Sequence, residues 1–280
     1  MKTAWPWIAG TAGAVLVAAA AWLWWQERAA PVPIQPPPQA AAPVLPAPAA
    51  SASDAAIKYP IEASAAASSP QAPDDVASAL DALFGSKTVS RMFRADDFAR
   101  RFVATVDNLG RSHAPAALWP VHPADGRLVV ERHGDAESIG ADNGLRYTPY
   151  VLIFESLDLR RASAAYVQLY PAFQKAYEEL GYPDRYFNDR FVEVLDQLMA
   201  TPDPKGAPSI HVPEVNGPIQ PQRPWLFYQY DQAALEALPS GQKLLLRMGP
   251  VNERRIKARL AELRRLVTAP PSAPSRPASS

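Results

Sequence analysis

Apolar and polar positions follow three different regimes along this chain. Residues 4–25 are apolar with no charge. Residues 29–73 are dominated by Ala, Pro and Ser with no period. From residue 74 onward, apolar positions recur at helical spacing, broken by Gly and Pro. Val76, Leu80 and Leu83 share one face of a helix that Asp74 or Asp75 caps and Gly85 ends. Phe98, Phe102 and Val106 recur at i, i+4 and i+8, predicting a helix over 95–108 with Asp96 and Asp97 in its first turn, where the dipole favours acids. Thr148 and Pro149 start another helix, whose body, 150–157, is apolar enough to be buried.

Asp158 caps the next helix. Tyr166, Tyr170, Phe173, Tyr177 and Leu180 line one side of it, and Pro171 is expected to kink it or split it into two abutting helices. A helix over 186–200 turns Phe187, Phe191, Val194, Leu195 and Leu198 inward. Short helices are expected at 232–238, 241–248 and 251–267, the last two separated by Gly249 and Pro250. The final one buries Ile256, Leu260, Leu263 and Val267 and shows a basic outer face. Strand signals are sparse: 127–132, an edge strand near 210–212, and 225–230. The expected fold is α+β, mainly helical with a small β-sheet. It occupies residues 74–268, and 269–280 form a disordered tail.

The first regime reads as a single-pass transmembrane helix. A helix needs about 20 apolar residues to cross the hydrocarbon core, and residues 4–25 supply them. Five of the seven tryptophans (Trp5, Trp7, Trp22, Trp24 and Trp25) sit at its two ends, the places that membrane interfaces favour. A cleaved signal peptide is the rival, weighed down by the Trp-rich end and the length of the apolar run. Lys2 and the amino terminus lie on one side, while Glu27 and Arg28 cancel on the other. Residues 1–28 therefore read as a cytoplasmic stub and signal anchor, with the folded domain outside. The second regime, 29–73, carries only Asp54, Lys58 and Glu62 as charges and includes three consecutive prolines, Pro36, Pro37 and Pro38. It reads as a disordered tether biased toward polyproline II, with a contour of roughly 140 Å at about 3.1 Å per residue.

Charge and composition exclude more than they suggest. Lys plus Arg and Asp plus Glu are both 28, so nothing marks a nucleic-acid partner. With no cysteine, no disulfide, thiolate nucleophile or Cys-held zinc is possible. His113, His122, His133 and His211 lack metalloprotease spacing, and no phosphate loop or nucleophile elbow occurs. No catalytic residue, metal site or cofactor is expected. Asp189, Glu193 and Asp196 share one helix face, a pattern more often a solvated stripe than a glycosidase pair. The polar residues embedded among apolar helices stand out most: Arg101, Asp107, Asn108, Tyr186, Asn188, Asp189 and Arg190. Buried charge needs a partner, so they read either as an interhelical polar network or as a recognition site.

Four stretches together resemble the bacterial domain of unknown function family 3014: RRFVATVDNL at 100–109, ELGYPDRYFNDRFVEVLD at 179–196, LMATP at 198–202 and SGQKLLLRMGP at 240–250. The resemblance implies an envelope protein with an N-terminal membrane anchor and supplies no activity. The expected function is a membrane-tethered binding or scaffold module of the bacterial inner membrane, its domain in the periplasm, engaging a protein partner. The alternative is a cell-wall carbohydrate-binding domain or an acid/base enzyme using the domain's carboxylates. Oligomeric state is left open.

Overall fold

The computed structural model describes residues 56–61, 73–214 and 222–269. The expected anchor (4–25), most of the tether and the tail lie outside the described residues. No helix among the described residues is long and apolar enough to cross a membrane.

Eight helices are found in the described residues: α1 Pro73–Phe84, α2 Ser86–Met92, α3 Phe98–Leu109, α4 Thr148–Ser156, α5 Leu159–Glu179, α6 Phe187–Met199, α7 Ala233–Glu236 and α8 Ser240–Val267. Four strands, β1 Val130–His133, β2 Ala136–Ile139, β3 Ser209–His211 and β4 Gln229–Tyr230, form one antiparallel sheet in that order. The fold is thus α+β, mainly helical with a small sheet.

Helices α3, α5, α6 and α8 pack against one another, and α1 lies on α5. Their inward faces build a core of Val103, Val106, Tyr166, Leu169, Phe173, Phe187, Phe191, Val194, Leu195 and Leu260. Aromatic rings dominate it: Phe102 lies 5.0 Å from Phe173 and 5.8 Å from Phe191 between centroids, within the range where such pairs attract. A second, smaller core of Ile139, Ile210, Tyr230, Leu235 and Leu246 lies under the sheet. Helix α8 serves both, because it breaks at Gly249 (φ 80°, ψ 161°). Its first half gives Leu246 to the sheet and its second gives Leu260 and Val267 to the helices. Fully buried Asn143 fastens sheet to helix: its Oδ1 accepts from Val129 N (3.0 Å) and its Nδ2 donates to the Arg247 carbonyl (2.7 Å).

Several expectations change. Helix α2 and strand β2 carry no strong periodic signal and were not expected. The β1–β2 hairpin turns at Gly134–Asp135, where Gly134 has φ 64°, the positive φ that tight hairpins require. Strand β3 is central, paired on both sides by β2 and β4. Of 225–230 only Gln229–Tyr230 is strand, and Pro224–Leu226 is a 3₁₀ turn. Helix α5 runs through Pro171 as one helix; its packing on α3 and α8 offsets the missing N–H. Leu180 falls outside the stripe and is exposed, and Val151 alone in α4 is fully buried. Asp97, with φ 50°, precedes α3 rather than lying in its first turn. The basic face of α8 is largely committed: Arg255 pairs with Glu155, Lys257 with Glu253, Arg259 with Glu262 and Arg264 with Asp196.

Candidate functional site

The seven candidate residues do not form one cluster. Three of them, Tyr186, Asn188 and Asp189, converge at the start of α6. Gly181 (φ 109°) ends the preceding helix region, and Tyr186, in extended geometry, is the N-cap of α6 without capping it through its side chain. The first N–H groups of a helix need acceptors, and here α5 provides them. Gln174 Oε1 accepts from Phe187 N (2.9 Å), and the Tyr170 hydroxyl accepts from Asn188 N (3.1 Å). Capping from a neighbouring helix leaves the Tyr186 and Asp189 side chains free for other partners.

Those partners are the backbone groups of residues 58–61. Asp189 Oδ2 accepts from Lys58 N (3.0 Å) and Oδ1 from Tyr59 N (2.8 Å). The Tyr186 hydroxyl accepts from Ile61 N (2.7 Å) and donates to the Ile61 carbonyl (3.3 Å). Asn188 Nδ2 donates to the Tyr59 carbonyl (2.9 Å) and to the Val267 carbonyl at the end of α8 (3.1 Å). Its Oδ1 accepts from the Tyr166 hydroxyl (3.0 Å), so this fully buried amide joins α5, α6, α8 and the segment. Burial pushes both the Tyr166 and Tyr170 hydroxyls well above the usual tyrosine range, so both stay protonated as donors. The Tyr59 and Ile61 side chains pack against the helical core, whereas Ile57, Lys58 and Pro60 are exposed. Residues 56–61 fall inside the stretch read from composition as tether. This part of it is seated on the domain.

Asp107 and Arg190 form a second cluster, with partners of its own. Arg190 Nε meets Asp107 Oδ1 at 3.1 Å, its Nη2 donates to the Asp107 carbonyl (2.9 Å), and its Nη1 pairs with Glu193 (2.9 Å). Arg111 Nη2 takes Asp107 Oδ2 at 2.8 Å. Burial pulls the Arg190 guanidinium down, but Glu193 and Asp107 outweigh it and the net shift is upward. The pair ties α3 to α6. Arg101 is turned back to its own helix start, on Asp96 and the Ala117 carbonyl. Asn108 donates to the Ala104 carbonyl (2.7 Å), and its backbone oxygen accepts from Ser240 (2.8 Å). The oxygens of Asp107 and Asp189 are thus taken up by guanidinium and backbone N–H groups.

Among the described residues, no group of His, Asp and Glu is arranged to hold a metal ion. Two adjoining apolar crevices of about 290 and 280 Å³ share Phe84, Phe93 and Phe154, and none of the seven candidates lines either. The residues missed by sequence reasoning are Tyr59, Ile61, Tyr166, Tyr170 and Gln174. One signal for the first two was present: Tyr59 is the only aromatic residue between 29 and 73, and it is flanked by Ile57 and Ile61.

No curated protein matches this chain, and no solved structure matches it. Residues 98–264, which hold α3 to most of α8 and include Tyr186, Asn188 and Asp189, match the family model described as protein of unknown function (DUF3014), and the chain belongs to that family.

Proposed function

We propose that this protein is a membrane-tethered binding module of the bacterial cell envelope that holds a segment of a protein partner at the start of α6. One observation carries the reading: Tyr186, Asn188 and Asp189 together grip the main chain of a short peptide segment, here the chain's own residues 58–61. Side chains that address backbone N–H and C=O groups recognise polypeptide as a class, and flanking pockets add selectivity. The anchor in residues 4–25, with the N-terminus cytoplasmic and the domain in the periplasm, rests on the apolar run and its flanking charges. A long Pro-rich spacer would let such a module reach a partner away from the bilayer.

A photoreactive amino acid placed at the exposed position Glu193, one helical turn beyond Asp189, tests this in cells. A single dominant crosslinked protein is expected in unaltered cells and absent when Asp189→Ala is present. No Asp189-dependent product would sink the reading. A periplasmic reporter fused after Ser280 is expected to be active; an inactive one would place the domain in the cytoplasm.

A further inference from the structure

We infer that the clamp selects segments of the form aromatic–proline–aliphatic, and that residues 58–61 are a resident copy competing with the partner's segment; this rests on the polypeptide-binding reading above. The backbone contacts set the pattern. The N–H groups of Lys58, Tyr59 and Ile61 each meet an acceptor at the start of α6, on Asp189 or on the N-cap residue Tyr186. Position 60 is proline, with no N–H to satisfy, and it is exposed. Proline therefore fits the one backbone position the clamp does not address, and its fixed φ lowers the entropy lost on docking.

Side-chain selectivity falls on positions 59 and 61, the two that pack against the helical core, because Ile57 and Lys58 face solvent. The Arg264 guanidinium lies 6.0 Å from the Tyr59 ring centroid and is fixed there by Asp196. A cation at that range attracts an aromatic face, which favours an aromatic side chain at position 59. The clamp side chains Tyr166, Tyr170, Gln174, Tyr186, Asn188 and Asp189 all lie within the family-matched span 98–264, and the resident segment lies outside it. All six side chains therefore belong to the family-matched part of the chain, while the segment they hold does not.

The resident segment joins α1 through residues 62–72, so it binds intramolecularly. A connection of only eleven residues gives an effective concentration on the order of millimolar, which masks the seat from a free peptide of equal intrinsic affinity. The test uses the full-length chain in detergent and a fluorescent peptide of sequence AIKYPIE, which copies residues 56–62, read by anisotropy. In one form the resident is disabled by Tyr59→Ala with Ile61→Ala. In another a protease site within residues 63–69 releases it on cleavage with Tyr59 and Ile61 intact.

Either release is expected to tighten peptide binding at least about tenfold over the unaltered chain, because the competing effective concentration is removed. Adding Asp189→Asn to the released chain should weaken binding about 10- to 100-fold, through loss of charge-assisted hydrogen bonds. Peptides with Ala in place of the tyrosine or the last isoleucine should bind at least about tenfold more weakly, the cost of unfilled apolar contact. If the released chain binds all these peptides equally, the selectivity is overturned while the polypeptide-binding reading stands. If both released forms keep cooperative melting and bind none of them, the inference and that reading fall together.

Discussion

Replacing Asp107 by alanine separates a structural bridge from a working site. Asp107 has 6 % of its side chain exposed and its partner Arg190 has 17 %, so the guanidinium cannot recover full hydration once the carboxylate is gone. Breaking a buried pair by removing one partner costs about 3–5 kcal/mol. Arg190 still keeps the Asp107 carbonyl and Glu193, which places the expected loss lower, at about 2–4 kcal/mol. For a domain of this size each kcal/mol moves Tm by about 2–4 °C, so a fall of roughly 5–15 °C is expected. Urea unfolding of Asp107→Ala, Arg190→Ala and the double variant would give the pairwise coupling, expected at about 1–3 kcal/mol. The reasoning is refuted if Asp107→Ala costs under about 1 kcal/mol or the two single effects simply add. If the variant proves more stable than the parent, Asp107 would look like a strained functional group, as active-site residues often do.

Asn188→Ala should cost about 2–4 kcal/mol in urea unfolding, since it leaves the Tyr166 hydroxyl and the Val267 carbonyl buried without their partner; a loss below about 1 kcal/mol would contradict its bridging role. Gly249→Ala meets no steric neighbour within 4 Å, so its cost is purely that of holding φ 80°, about 1–3 kcal/mol, and a neutral result would show that the break in α8 relaxes freely. Alkaline pH should also destabilise the domain. Burial raises Tyr177 and Tyr230 to about 12 from the ordinary 10, so the stabilisation is intact below pH 10 and lost as pH rises from there through 12. Absorbance titration should show these tyrosines ionising only as the fold is lost; all ten tyrosines ionising together near pH 10 with the fold intact would refute this.

The helical half of the molecule was legible because its signals are local. The stripes of α3, α5 and α6, the Asp158 cap, whose Oδ1 accepts from Arg160 N and Arg161 N, and the Gly249 break all follow from spacing within one turn or two. The sheet was poorly legible because its strands are two to four residues long, too short for alternation to register. The candidate site was legible in part. Polar residues embedded in an apolar helix were visible, but that Asp189 and Arg190, adjacent in sequence, serve different partners, residues 58–59 and Asp107, was not. Nor was the role of residues 58–61. Composition averages over a window, and one aromatic residue between two isoleucines is diluted by the Ala, Pro and Ser around it, although a seated segment needs only a few good contacts.

The order of the sheet has a consequence for how the chain reaches this state. Strands β1 and β2 are joined by a tight turn and can pair at once. Strand β3 must pair with β2 across everything from Ile139 to Ser209, an interval that contains α4, α5 and α6. Closing so long a loop is entropically costly until the intervening residues are compact. The helical body is therefore expected to form first and carry β3 to its place, with the first half of α8 closing over the sheet last. Refolding followed at Tyr230, buried under that sheet, should lag behind the same reaction followed at Tyr166 among the helices.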